Sequence, residues 1–212
     1  MSKMKANSSC VALLVDIVDS RGSDRSTTHA AILAALPELD SEAALEPVHP
    51  TVGDELQGIF RTLGAALTAS YHLRLLLDGA VELRFGLGGG EVRVIDEQRN
   101  IQDGSAWWRA REAIEAVETL ESDPQYPGIR TGIVDGRSES NSLAPATAQL
   151  VDAQLARLRV GARHSLRLLL DGLDNQRAAE AIGISASANS QRVRTNQLRI
   201  LADTMLELGK LD

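Results

Sequence analysis

Two pairs of carboxylates stand where the chain changes character. Asp16 and Asp19 close the apolar run CVALLVDIV (Cys10 to Val18), and Asp54 and Glu55 follow Gly53. If the segments that carry them are neighbouring strands, Asp16 and Asp54 converge as oxygen ligands for Mg²⁺ or Mn²⁺. Mg²⁺ takes one or two carboxylates together with phosphate oxygens and water, so such a pair would handle phosphate esters. The plainer reading makes Asp19 the cap of a following turn and Asp54 part of a Gly-Asp turn. Gly88, Gly89 and Gly90 lack an immediately following helix N-terminus, so they read as structural glycines rather than a phosphate loop. His29, His49, His72 and His164 have no metal-ligand spacing, and Cys10 is alone, which excludes an internal disulfide and a thiolate cage.

A second set of candidates lies near the C-terminus. In NQRAAEAIGISASANSQRV (Asn175 to Val193), Ala179, Gly183 and Ser185 fall at the intervals of a helix-turn-helix. A small Ala lets two helices approach, Gly permits the turn, and Ser caps the next helix. That helix presents Ser187, Ser190, Gln191, Arg192 and Arg194 to base edges and phosphates. Val193, Ile200, Leu201, Met205 and Leu208 are expected to face inward. Asn189 stands where an apolar anchor is usual. A helical bundle that docks on another protein is the competing reading.

The elements that position these groups follow from periodicity. Residues 10–18 read as a buried strand, and 27–45 as helix broken at Pro37. Residues 48–60 read as a hairpin turning at Gly53-Asp54, and 62–77 as a helix. Residues 81–95 form a half-buried strand whose glycines allow a bulge or a close backbone approach. Residues 104–120 carry an apolar stripe at Trp107, Ala110, Ile114, Val117 and Leu120, and 129–134 form a short strand. SESNSLAP (Ser138 to Pro145) reads as a linker, followed only by helices. The expectation is an α+β domain over 1–140, a linker and connecting helix over 141–160, and a helix-turn-helix domain over 161–212.

Composition narrows the class. The 212 residues carry 22 Lys and Arg against 29 Asp and Glu, with 43% hydrophobic residues. This is the profile of a globular chain, and no run is long and apolar enough to span a bilayer. A cytoplasmic protein without membrane association is expected. The first 156 residues hold 13 basic and 23 acidic side chains, whereas the last 56 hold 9 and 6. A basic tail on an acidic body suits a polyanionic partner.

The segments VDIVDS (Val15 to Ser20), TVGDELQGIF (Thr51 to Phe60), LRFGLGGGEV (Leu83 to Val92) and GSAWWRAREAI (Gly104 to Ile114) resemble, in order, four motifs of class III nucleotide cyclase catalytic domains. With the tail included, the chain resembles the SatD family. The cyclase resemblance implies a ferredoxin-like, nucleotide-cyclase-like fold in which Asp16 and Asp54 hold metal, with Asp19 and Glu55 beside them, and Arg111 meets a phosphate. It also marks two departures. The transition-state Asn falls on Trp107, and the base-selecting Lys falls at or near Pro50. A Trp supplies neither an amide nor a cation, so turnover is not expected. Of Trp107 and Trp108, one is expected to fill core, leaving the other free for base stacking.

The reading is a DNA-binding transcriptional regulator. Its degenerate cyclase-like domain senses a nucleotide or cyclic nucleotide, or pairs two chains as a homodimer, and its tail binds double-stranded DNA. The alternative is a metal-dependent nucleotidyl cyclase or other nucleoside-triphosphate-processing enzyme using Asp16 and Asp54. A plain interaction protein has no positive mark in the sequence.

Overall fold

The computed structural model describes residues 8–18, 25–39, 42–51 and 54–212. The expected turn residues Asp19 and Gly53 lie outside the described residues. Strand β1 (Ser8–Ile17) alternates its side chains between two apolar clusters. Val11, Leu13 and Val15 face one side; Cys10, Ala12 and Leu14 face the other. A strand buried on both faces must read as a continuous apolar run, which this segment does.

Helix α1 (Arg25–Ala35) runs into a 3-10 turn at Leu36–Glu38, where Pro37 ends regular helix. Strands β2 (Ala44–Pro50) and β3 (Leu56–Phe60) pair antiparallel, as the Gly-Asp turn predicts. Helix α2 (Leu63–Leu76) opens on Thr62, whose hydroxyl accepts the Ala65 amide at 3.1 Å. It leads into β4 (Leu83–Asp96), which lies antiparallel along β1 and then folds back into the short β5 (Ile101–Asp103). The neighbours β2, β3, β1 and β4 are all antiparallel, with α1 and α2 in the connections: the split βαβ order. Helix α3 (Ser105–Glu121) then carries the chain to β6 (Thr131–Asp135), which pairs parallel with β4 and makes the sheet mixed.

The glycines of β4 are explained by α3. Gly86 and Gly88 face the helix axis. A Cβ on Gly86 would overlap the Ala110 carbonyl and Ile114, and one on Gly88 would overlap the Ala106 carbonyl and the Ala110 amide. The helix backbone lies directly on the strand, with Ala106, Ala110 and Ala113 as its contact residues. This is the close approach anticipated from the glycine run.

Helices α4 (Ala144–Arg157), α5 (Val160–Leu170) and α8 (Leu198–Leu208) cover the opposite face. Ala148, Val151, Leu155, Leu166, Leu198, Leu201 and Met205 join the same apolar cluster as Val11, Leu13, Phe60 and Leu67. The segment expected to link two domains is thus α4, built into the core, and the architecture is mixed α/β with helices on both faces. Helices α6 (Asn175–Ala181) and α7 (Ala186–Thr195) project from this body, with Ala178, Ala179 and Asn189 as their buried residues.

Candidate functional site

The carboxylates do meet at one end of the sheet, but arginines meet them there. Asp16 on β1 lies directly opposite Arg84 on β4, and Arg84 Nη1 donates to Asp16 Oδ2 at 2.7 Å. Arg84 Nε donates to Glu121 Oε2 at 2.6 Å, and Nη1 stands 3.5 Å from Glu118 Oε1, both from the last turns of α3. Glu121 also holds Arg130 at 3.1 Å, and Arg130 reaches Glu82 at 2.8 Å. Burial pushes the Asp16 carboxyl above its usual range. Arg84 opposes that shift, while Asp54, Glu55 and Glu118 reinforce it, so Asp54 and Glu55 do lie within electrostatic reach of Asp16.

Arg111 is exposed on α3 and forks onto Glu55, with Nη1 and Nη2 donating to its two carboxylate oxygens at 2.8 and 3.0 Å. The pairing with Glu55 holds the guanidinium charged. Asp16 and Glu55 are therefore each paired with an arginine, Arg84 and Arg111, and Asp54 makes no such pair among the described residues. Among the described residues no three His, Cys, Asp or Glu side chains gather closely enough to hold a metal ion. The donor set does not fit a divalent cation: an ion at Asp16 would have to displace a guanidinium that three carboxylates share. Sequence reasoning missed Arg84, Glu118 and Glu121. The available signal was an Arg in the apolar, glycine-rich first half of β4 and two Glu spaced three apart on one helix.

The tryptophans divide as expected. Trp107 packs on the cluster under α3 with its Nε1 buried and unpartnered, and Trp108 is exposed with its Nε1 donating to Asp103 at 2.9 Å. Neither borders the carboxylates through a contact found in the structure.

On the other side of the sheet, Asp152 of α4 is fully buried. It accepts from Arg74, from the amides of Arg130 and Thr131 at 2.8 and 2.7 Å, and from the Thr131 hydroxyl at 3.2 Å. Burial pushes its pKa up, and Arg74 and these hydrogen bonds pull it down. The group ties α2, α4 and β6 together with every oxygen satisfied, which is a structural task.

The C-terminal candidates form a built motif. Asp174 caps α6 by accepting the Gln176 and Arg177 amides at 3.0 and 2.9 Å. The Ile184 amide returns to the Ala179 carbonyl at 3.0 Å, and Gly183 takes a φ of 69°, the left-handed conformation this turn requires. Ser185 then caps α7 through the Ala188 amide at 3.1 Å. Asn189, in the position usual for an apolar anchor, is buried but satisfied. Its Oδ1 accepts from Ser165 of α5 at 2.8 Å, and its Nδ2 donates to Asn175 of α6 at 3.1 Å. Asn175 Nδ2 in turn donates to the Ala186 carbonyl at 2.9 Å. A polar knot replaces the apolar one.

Of the expected reading residues, Ser187, Ser190, Gln191 and Arg194 are exposed and recur along one outward face of α7. Arg192 turns the other way. Its Nη1 donates to the Gly161 carbonyl at 2.8 Å and contacts Ser165 Oγ at 3.3 Å, so it fastens α7 to α5. Val193, Leu201, Met205 and Leu208 face inward as expected, but Ile200 does not; it is 67% exposed. The buried face of α8 is Leu198, Leu201, Ala202, Met205 and Leu208, and Ile200 falls outside it. Arg157, Arg159, Arg194 and Arg199 make no intrachain side-chain hydrogen bond or ion pair among the described residues, unlike Arg84, Arg111, Arg130, Arg137 and Arg163 of the body and α5.

Comparison with known proteins matches residues 10–207 to the model of the SatD family. No curated protein matches the chain. No helix among the described residues is long and apolar enough to cross a membrane.

Proposed function

The chain belongs to the SatD family, and from that premise we propose that it is a DNA-binding transcriptional regulator whose α6–turn–α7 unit docks in the major groove. The observation that carries this reading is the outward face of α7. Ser187, Ser190, Gln191 and Arg194 share it, both helices of the unit are side-chain capped, and Arg194 has no side-chain partner among the described residues. Small hydroxyls and an amide suit base edges, and an uncommitted guanidinium suits a phosphate or a guanine edge. Arg157, the last residue of α4, and Arg159, which immediately precedes α5, make no side-chain pair among the described residues and add positive charge to the tail. Neutralising phosphates supplies most of the sequence-independent affinity.

The body supports this role as a scaffold of ferredoxin-like strand order. Asp16 and Glu55, two of the carboxylates expected at a phosphate site, are engaged by Arg84 and Arg111, which argues against cyclisation of a nucleoside triphosphate. A cytoplasmic location follows from the partner. A nucleotide-type ligand would regulate by favouring one arrangement of the reading helices over another.

The test is fluorescence anisotropy of the full chain against fragments of its own genome over a salt series. The proposal expects binding whose logarithm falls linearly with that of salt. Arg194→Ala should lower the magnitude of the slope by about one, and Ser187→Ala or Gln191→Ala should change sequence preference more than the slope. Absence of binding at low salt would overturn the proposal. So would affinity indifferent to Arg194→Ala and Gln191→Ala together.

A further inference from the structure

We infer that the exposed face of α4 and α8 is the surface on which a second copy of this chain docks, as an isologous dimer with the two α8 helices antiparallel. The inference rests on the DNA-binding reading for its purpose, because a single reading helix addresses only one half-site. Its physical grounds are independent of that reading.

The face is apolar where the rest of α4 and α8 would lead one to expect polar side chains. Leu143 is 71% exposed and leads into α4, Leu150 of α4 is 68% exposed, and Ile200 and Leu206 of α8 are 67% and 49% exposed. Leu143, Thr147 and Leu150 follow one helical stripe, on the side of α4 away from the buried Ala148, Val151 and Leu155. A groove of about 580 Å³ runs between the two helices, lined by Leu143, Ile200, Leu208 and Leu211 with the carboxylates of Asp203 and Glu207 at its α8 side. Ile200 also borders a second hollow of about 600 Å³ that reaches Ser190 and Arg194 of α7. The apolar face is therefore continuous with the reading unit. Contiguous apolar surface rimmed by charge marks an interaction site, whereas single exposed apolar residues do not.

The charges select a second copy as the occupant. In an isologous contact, residue i meets residue j of the partner while j meets i. About a two-fold axis near Asp203, antiparallel α8 helices bring Ile200 of each chain beside Leu206 of the other, and Arg199 beside Glu207. Among the described residues Arg199 has no side-chain partner, and Glu207 is held by Lys210 alone, in an exposed pair three residues away. The pattern is self-complementary: cation and apolar residue at one end, apolar residue and anion at the other. The residue at the axis is the weak point, since the two Asp203 side chains approach each other with like charge. Paired in this way, two copies would give each half-site of a two-fold operator its own reading helix.

The experiment is sedimentation velocity on the full-length protein from low to tens of micromolar. The wild type should sediment at twice the chain mass. Ile200→Glu should raise the dissociation constant by about 100-fold or more, with an unchanged circular dichroism spectrum because the side chain is exposed. Arg199→Glu and Glu207→Arg should each weaken the dimer by about tenfold, and the double swap should recover most of the loss. Asp203→Asn should tighten it. A monomeric wild type overturns the inference, as does a dimer insensitive to Ile200→Glu or a double swap as weak as its singles. The DNA-binding proposal fails separately: a dimer that does not bind DNA refutes that proposal alone, and a monomer that binds refutes this inference alone.

Discussion

Replacing Asn189 tests whether the polar knot beneath α7 acts as a unit. Asn189 exchanges hydrogen bonds with Ser165 and Asn175 at 2.8 and 3.1 Å while only 2% exposed. Changing it to Val, the kind of residue usual at this position, removes both bonds. It leaves the Asn175 oxygen to find water, while Ser165 keeps the Gly161 carbonyl at 3.1 Å as an acceptor. Each lost bond is worth about 1 kcal/mol net, and a partner stranded away from water adds about 1 to 3 kcal/mol, so Asn189→Val should cost about 2 kcal/mol. Ser165→Ala strands the buried Asn189 Oδ1 and should cost about 1 to 3 kcal/mol. The double replacement removes donor and acceptor together and should cost less than the sum of the singles by about 1 to 2 kcal/mol. Urea unfolding of the four proteins closes the cycle. Agreement of the double with the sum to within about 0.5 kcal/mol would show two independent sites and refute the reasoning. Because α6 and α7 project from the body, a probe within α7 should report the change if that unit opens separately.

Other outcomes follow from the same contacts. Gly88→Ala forces a methyl into the backbone of α3 and should destabilise by about 3 kcal/mol or leave the protein insoluble, whereas Gly161→Ala, which meets only the flexible Arg192 guanidinium, should be far milder in thermal unfolding. Arg84→Ala leaves Asp16, Glu118 and Glu121 without their shared cation and should cost about 2 to 4 kcal/mol at neutral pH, recovering as acid protonates the carboxylates. Because folding raises the Asp16 pKa, stability associated with its protonated form is present at low pH and lost as pH rises through the window just above the ordinary value of about 3.9. Asp16→Asn should therefore gain on the wild type in urea unfolding between pH 3 and pH 7, and a relative loss would contradict the assignment. Arg192→Ala should lower the stability of α7 while leaving the salt slope of DNA binding near the wild-type value.

Much of the fold was legible because local signals agreed. The apolar run into Asp16, the break at Pro37, the antiparallel strands flanking the Gly53-Asp54 turn and the cap at Ser185 each depend on a few neighbouring residues, and each is found where the sequence places it within the described residues. The candidate sites were legible only in part. Asp16 reads as a ligand until Arg84 is seen opposite it, 68 residues away in sequence. Arg192 and Arg194 read alike, yet Arg192 is fastened to Gly161 while Arg194 has no side-chain partner among the described residues. A two-residue step along a helix turns a side chain through more than a right angle. Ile200 and Leu201 are equally apolar, but only the packing of α8 against α2, α4, α5 and α7 decides which is covered.

Propensity, capping and periodicity act over a few residues, and they suffice for the helices and strands and for the turn between α6 and α7. Long-range packing set the rest: three carboxylates share an arginine, α4 and α8 complete one core with the sheet, and apolar residues of α4 and α8 stay exposed. Those outcomes depend on which residues distant in the chain are brought within a few ångströms, where desolvation and charge pairing act, and no local pattern encodes that proximity.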